Sequence, residues 1–287
     1  MGAKLIEEAG FKAAFFSGFA FSASRLGMPD VGVATYSEMA DAGRDVCQAV
    51  KIPVVGDGDT GYGGTLNVRR TVKGFARAGF AAVSIEDQCF PKRCAYANGV
   101  QVVGLEEAQE RIQAAIRARD ESRDDGYDIL LIARTDRLKV KDARPREEVL
   151  GETIQLCQRF QEAGADIVYA EGLANREEME LINRSLRVPT MLAQVERPNV
   201  HVHSAREAGA MGFRLSLRGV TLLNCYIAAV KQTLQAIKNE EQISTEPGRS
   251  FLLPFDELYQ SVGFNEAYEW ERSSVAHRPS QGGGTSK

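Results

Sequence analysis

Ala78-Gly79-Phe80-Ala81-Ala82-Val83-Ser84-Ile85-Glu86-Asp87 decides the fold. A helix-like stretch ends in Ala-Gly, and the chain turns at once into a short apolar run. Glycine just past the last helical turn adopts the left-handed conformation that other residues resist. An apolar run of this length reads as a strand buried on both faces. The same punctuation recurs at Ala9-Gly10 before Ala13-Ala14-Phe15-Phe16, at Ala163-Gly164 before Asp166-Ile167-Val168-Tyr169, and at Ala208-Gly209 before Phe213-Arg214-Leu215-Ser216-Leu217. Three more runs read as strands without the glycine stop: Ile52-Pro53-Val54-Val55, Ile129-Leu130-Leu131-Ile132 and Val188-Pro189-Thr190-Met191-Leu192. Helical segments fill the gaps. Seven strands, near residues 13, 53, 82, 129, 166, 189 and 214, should therefore lie parallel.

Seven such units fall one short of a (β/α)8 TIM-type barrel. The chain opens inside a helix, Ala3-Lys4-Leu5-Ile6-Glu7-Glu8, so the expected architecture is an α/β barrel whose first strand is missing from this sequence. An open doubly wound sheet is the runner-up, and no Gly-x-Gly-x-x-Gly turn follows an early strand to support it. The expected domains are a catalytic barrel over residues 1–235, C-terminal helices over 236–274 and a disordered tail over 275–287. Phe255, Leu258, Tyr259 and Val262 have helical spacing, and Phe264 to Trp270 reads as a second short helix. This terminal hairpin packs on a neighbouring subunit or covers its own barrel. A barrel lacking a strand exposes apolar edges, so dependence on oligomerisation is expected.

With 44% hydrophobic and 26% charged residues over 287 positions, the composition is that of an ordered globular protein. A net charge of -4 without a basic run argues against nucleic-acid or membrane-surface binding, and no apolar stretch reaches the ~18 residues of a membrane span. Five cysteines without a CxxC pair fit a reducing compartment. No targeting peptide is visible, so the expected location is intracellular, in the cytoplasm or an organelle matrix. Only three histidines occur, so carboxylates, Arg, Lys and Cys must carry any chemistry.

In a parallel barrel that chemistry gathers where the strands end. The ends read Ser17-Gly18, then Gly56-Asp57-Gly58-Asp59-Thr60-Gly61-Tyr62-Gly63, then Glu86-Asp87-Gln88, Arg134-Thr135-Asp136, Glu171-Gly172 and Gln194-Val195-Glu196. Carboxylates meeting at one mouth repel, and a hard cation relieves the repulsion. Asp57, Asp59 and Glu86 thus suggest Mg²⁺, or Mn²⁺, with Asp30 as a buttress or a helix cap. Arg134 fits a clamp for a substrate carboxylate or an internal salt bridge to Asp136 or Glu171. Ser17 and Gly18 offer backbone N–H groups to an anion or form an ordinary turn. The long loop Asp87 to Val100 suits a lid, and Lys92 and Arg93 beside Cys94 should lower its thiol pKa. His201 and His203 lack a nearby third ligand and read as surface residues.

These segments resemble the isocitrate lyase/phosphoenolpyruvate mutase superfamily. The matching text is Ser17-Gly18-Phe19-Ala20, Leu26-Gly27-Met28-Pro29-Asp30, the Gly56–Gly63 run, Asn67-Val68, Glu86-Asp87-Gln88, Pro91-Lys92-Arg93-Cys94, Ala133-Arg134-Thr135-Asp136 and Glu171-Gly172. The resemblance runs from about residue 3 to about residue 270 and is nearest to the smaller members, such as methylisocitrate lyase and petal death protein. It implies a tetramer, or a dimer, that exchanges C-terminal helices. It implies Mg²⁺ near Asp57, Asp59 and Glu86, with Asp59 as a direct ligand and Asp30 in support. It implies that Ser17, Gly18, Phe19, Arg134 and Gln194 hold a small carboxylate substrate, and that Cys94, Lys92, Arg134 and Glu171 take part in catalysis.

The implied activity is cleavage of a carbon–carbon bond in a small 2-hydroxy di- or tricarboxylate, of the methylisocitrate or 2-alkylmalate type. The rivals are a 2-oxo acid hydrolase or decarboxylase, a P–C bond mutase, and an inactive metabolite-binding homologue. The sequence departs from the resemblance at Ala95-Tyr96, where the lyases have Gly-His, and at Gln194, where Asn is frequent. Arg218-Gly219 stands where Tyr-Pro is usual. These departures imply a reshaped pocket.

Overall fold

The computed structural model describes residues 1–97, 99–241, 243 and 252–274. The tail expected over 275–287 lies outside the described residues. The chain divides into two compact units, Gly2–Leu223 and a second made almost wholly of the chain from Asn224 onward.

All seven expected strands are present in the first unit. β1 (Ala14–Phe16), β2 (Val54–Asp57), β3 (Ala82–Glu86), β4 (Leu130–Thr135) and β5 (Ile167–Ala170) form one sheet in chain order. β6 (Met191–Ala193) and β7 (Leu215–Leu217) pair with each other, and a bridge between Val168 and Thr190 links them to β5. Every pairing among these seven strands is parallel. Eight helices alternate with these strands among the described residues: α1 (Gly2–Glu8), α2 (Gly18–Phe21), α3 (Tyr36–Ala49), α4 (Thr65–Ala78), α5 (Leu105–Asp124), α6 (Arg146–Ala163), α7 (Arg176–Ser185) and α8 (Ala205–Ala210). The strands are the wall of a (β/α)8-type barrel, with β1 and β7 as its described edges.

The strand period of two sorts the core into two layers. Val55, Ala82, Ile132, Ile167, Tyr169 and Met191 form the inner cluster, joined by the partly buried Phe15, Leu215 and Leu217. Their neighbours Val54, Val83, Leu131 and Val168 point the other way, into a larger layer between sheet and helices. Phe75 and Phe80 anchor that layer, stacked at 4.7 Å between ring centroids. A Cβ on Gly56 would come within 2.9 Å of both rings, so the bare backbone of β2 is what admits them.

Glycine ends α4 and α6 as the sequence suggests: Gly79 and Gly164 have φ of +98° and +108°. Two details differ. Gly209 lies inside α8, and the left-handed stop comes three residues later at Gly212, φ +107°. The capping box of Ser204 and Glu207 starts α8 late enough that its single turn and a half runs past Gly209. Gly126, φ +86°, also follows α5, so the strand at 130 has a glycine stop that the Ala-Gly pattern does not contain.

The second unit holds most of α9 (Thr221–Lys238), then α10 (Phe255–Val262) and α11 (Phe264–Ser274). Gly263, φ +91°, separates α10 from α11, and Tyr259 stacks on Phe264 across that turn at 4.2 Å. Among the described residues no helix is long and apolar enough to cross a membrane.

Candidate active site

The carboxyl ends of β2, β3 and β4 lie side by side, and the register fixes who meets whom. Gly56 pairs with Val83, and Glu86 pairs with Arg134. The first contact of the site is thus a consequence of strand pairing: Arg134 Nη1 lies 3.1 Å from Glu86 Oε2. The rest of the guanidinium is taken by Asp136, with Nε and Nη2 donating to Oδ1 and Oδ2 at 2.8 and 3.0 Å. Tyr169, on the next strand, places its ring 5.0 Å from the same guanidinium carbon. The salt bridge to Asp136 left open by the sequence is therefore made. It fixes Arg134 in a rigid fork rather than leaving it free to swing.

Behind this pair lies a network centred on the buried Gln88, Asp87, Thr135 and Asp136. Gln88 donates to Asp136 at 2.5 Å and accepts from the Arg93 amide at 2.8 Å, which ties the base of the long loop to β4. Asp87 accepts from Thr135 Oγ1 and the Asp136 amide at 2.6 and 2.8 Å. Burial and the neighbouring Asp136 charge push its carboxyl up to about 6. Gln88, Asp87, Asp136 and Tyr169 were not singled out in the sequence as site residues. The signal for them was their place beside Glu86 and Arg134 at matching strand ends.

The turn after β2 supplies the acidic half. Asp59 and Tyr62 have positive φ, +48° and +60°, in the left-handed region that side chains disfavour. Gly58 passes so close to β3 that a Cβ would lie 2.6 Å from the Ser84 carbonyl. Asp57 faces inward and accepts from the Gly18 amide at 3.0 Å and the Asp59 amide at 3.3 Å. The Gly18 amide expected to meet an anion is thus already engaged by Asp57. Ser17 caps α2 by accepting from the Ala20 amide at 3.3 Å. Lys92, 5% exposed, reaches from the long loop to Asp30 at 2.7 Å and to Asp59 Oδ1 at 2.5 Å.

Asp30, Asp57, Asp59 and Glu86 are all buried, and one lysine and one arginine face them. Burial drives the Asp59 and Glu86 carboxyls upward despite those cations. Glu86 Oε1 has no hydrogen-bond partner, and Asp59 Oδ1 is met by the Lys92 ammonium alone. A buried carboxylate oxygen that no N–H satisfies, at Glu86, close to further buried carboxylates is the kind of donor a divalent cation takes. The donor set is all oxygen, which suits Mg²⁺ or Mn²⁺.

A cavity of about 240 Å³ opens onto Asp30, Asp57 and Glu86. Ser17, Phe19, Asp30, Asp57, Glu86, Lys92, Cys94, Arg134, Glu171 and Gln194 line it. Two expected residues, Gly18 and Asp59, are not part of its lining. Gln194 reaches the wall, but its amide is engaged: Nε2 donates to the His203 carbonyl and Ser216 Oγ, both at 3.0 Å, and Oε1 accepts from the His203 amide at 2.6 Å.

Glu171 is buried and accepts from the Tyr169 hydroxyl, and burial raises its carboxyl pKa. Tyr96, the departure noted in the sequence, lies between Lys139 and Arg197 at 4.5 and 4.9 Å and walls one side of the cavity. Cys94 corrects an expectation. Its thiol is pushed up, not down, because burial outweighs the cations, and Lys92 is neutralised by Asp30 and Asp59.

The profile of the family described as phosphoenolpyruvate phosphomutase matches residues 1–238. This chain belongs to the isocitrate lyase/phosphoenolpyruvate mutase superfamily. It is 35% identical to 2-methylisocitrate lyase of Halalkalibacterium halodurans, over 93% of this chain and 83% of the relative. It is 31% identical to 2,3-dimethylmalate lyase of Eubacterium barkeri, over 97% and 91%. Among solved structures it is similar to oxaloacetate acetylhydrolase in complex with 3,3-difluorooxalacetate, at a TM-score of 0.84 and 31% identity, covering 95% of this chain and 88% of that one. The chain is an enzyme of this superfamily, and lyases are among the relatives it is similar to.

Proposed function

We propose that the protein is a divalent-metal-dependent carbon–carbon lyase. Its substrate is a small 2-hydroxy di- or tricarboxylate of the methylisocitrate or 2-alkylmalate type, and its products are a 2-oxo acid and a carboxylate. The observation that carries this reading is the convergence of Cys94, Arg134, Glu171 and the buried acidic group on one small cavity.

Retro-aldol cleavage removes the proton of the 2-hydroxyl, breaks the adjacent C–C bond and returns a proton to the departing carbanion. Glu171, held by the Tyr169 hydroxyl, lines the cavity and is placed to accept the first proton. Cys94 donates the second, and a thiol that burial keeps protonated suits that role better than a thiolate. Arg134, locked between Glu86 and Asp136, presents fixed positive charge where carboxylate and enolate oxygens form. Asp59 and Glu86 would hold Mg²⁺, with Asp57 and Asp30 in support; bound there, the cation supplies further positive charge to those oxygens. Phe19 and Tyr96 bound the space for the substrate's carbon chain.

The similarity to oxaloacetate acetylhydrolase favours a second reading, hydrolytic cleavage of a 2-oxo acid in the same cavity. We further propose that α10 and α11 are exchanged between subunits of a homo-oligomer, given the exposed Phe255 and Trp270 they carry. Light scattering after gel filtration reads that state directly.

The test of the activity is a proton-NMR panel of 2-methylisocitrate, isocitrate, 2-alkylmalates, oxaloacetate and phosphonopyruvate with Mg²⁺. Turnover to a 2-oxo acid, lost by about 10³-fold or more in Cys94→Ser and in Asp59→Ala, is the expected result. Oxalate and acetate from oxaloacetate alone would select the hydrolase. Full activity in Cys94→Ser would remove the proposed acid.

A further inference from the structure

The loop between β6 and α8 carries a second group of metal-ligating side chains. His201 and His203 sit two residues apart, a spacing that puts both side chains on one side of an extended backbone. Their ring centroids are 4.6 Å apart, with the planes at 78°. Glu207, in the first turn of α8, brings Oε1 to 3.4 Å from His201 Nε2. One donor atom from each of the three lies within 4.8 Å of the other two.

The His201–Glu207 separation matches that of two donors in one coordination sphere. Tetrahedral Zn²⁺ with bonds of about 2.0–2.1 Å sets its donor atoms about 3.3 Å apart. His201 and Glu207 already stand at that spacing, and the His203 donor lies within 4.8 Å of both. The carriers are fixed from behind. Glu207 Oε2 accepts from the Ser204 amide at 2.7 Å, and the Glu207 amide donates to Ser204 Oγ at 3.2 Å, which orients the carboxylate. The backbone of His203 is held at both its N–H and its carbonyl by the Gln194 amide. Such outer hydrogen bonds are how metal ligands are held in place. His201 and Glu207 side chains are 67% and 46% exposed, so an ion can enter from solvent.

We propose that His201, His203 and Glu207 form a site for a transition-metal dication of the Zn²⁺ class, with solvent in the remaining position. Two imidazoles and one carboxylate select zinc-class ions, whereas the all-oxygen acidic group of the cavity selects Mg²⁺. The site ties the β6–α8 loop to the first turn of α8. Through His203 and Gln194 it abuts the wall of the cavity, so a bound ion stiffens that part of the mouth. Neither point depends on which substrate the cavity takes.

The experiment is calorimetric titration of ZnCl2 into tag-free, chelator-stripped protein held in saturating Mg²⁺, which occupies oxygen sites. One equivalent of Zn²⁺ binding in the micromolar range is expected. His201→Ala and His203→Ala should each weaken it at least ten-fold, and Glu207→Gln should weaken it while keeping the helix cap. Zn²⁺ should also raise the melting temperature of the parent protein but not of the His201→Ala/His203→Ala variant, whose unliganded melting curve shows whether it is folded. Absence of Zn²⁺ binding by the parent, or equal binding by the double variant, would overturn the site.

Discussion

The walls formed by β1–β5 and by β6–β7 are built to different standards. Residues of β2, β3 and β5 are buried throughout, and the β3–β4 register carries Glu86 and Arg134 into direct contact. The ends of this wall are tied by charged hydrogen bonds that are almost wholly shielded from water. In β7, Leu215 and Leu217 are partly buried and Ser216 is exposed. Gln194 and Ser216 join that wall's ends by neutral hydrogen bonds. The difference separates two tasks. Ionic chemistry needs groups that do not move, and the long buried strands provide them. The short strands carry loops that shape the space beside that chemistry.

The sharpest way to break this division is Arg134→Ala. It leaves Glu86 and Asp136 buried without their cation, so we expect a loss of about 10³-fold or more in kcat/KM and about 3–5 kcal/mol of stability. Steady-state kinetics and urea unfolding read the two effects, and a loss confined to stability would mean the rigid wall holds the fold alone. Core truncation compares the walls directly. Phe75→Ala, behind β2 and β3, should cost about 3–5 kcal/mol, and Leu217→Ala in β7 about 1–2 kcal/mol. Equal unfolding midpoints for the two variants would erase the contrast.

A pH series sharpens it further. The folded-state pKa of Asp87 is raised to about 6 from an ordinary 3.8. Between these values the folded protein keeps a proton that the unfolded chain has lost, so stability falls as pH rises from about 4 to about 6. Asp87→Asn should remove that slope, worth up to about 3 kcal/mol, in urea melts at the two ends of the window. The smallest effect is expected at Gln194→Ala. It releases the His203 backbone and should cost about 1–2 kcal/mol while leaving kcat/KM within about ten-fold. A collapse of activity there would show that the softer wall also carries chemistry.

The seven strands were legible because alternation of helix and strand is a local pattern, and glycine at Gly79 and Gly164 marks it. Gly209 misled because a helix cap upstream, not the glycine, set where α8 ran. The acidic and basic residues at the strand ends were legible one by one. Their partnerships were not, since the Glu86–Arg134 contact depends on a register between strands 48 residues apart. Cys94 shows the limit most clearly. Neighbours in sequence predicted a lowered thiol pKa, while burial and the diversion of Lys92 to Asp30 and Asp59 produced the opposite. His201 lies at the surface as the sequence suggests, and its ion contact to Glu207 was not read because Glu207 comes from the next helix.

The left-handed backbone at Asp59 and Tyr62 has a consequence for directed evolution. Glycine is at ease in that conformation, so Asp59→Gly relaxes the turn while deleting a carboxylate of the proposed metal site. A library selected only for heat resistance would therefore be drawn toward that replacement and would enrich for hardy, inert clones. Selection on this scaffold has to score turnover and endurance together, or the turn after β2 will be traded away first.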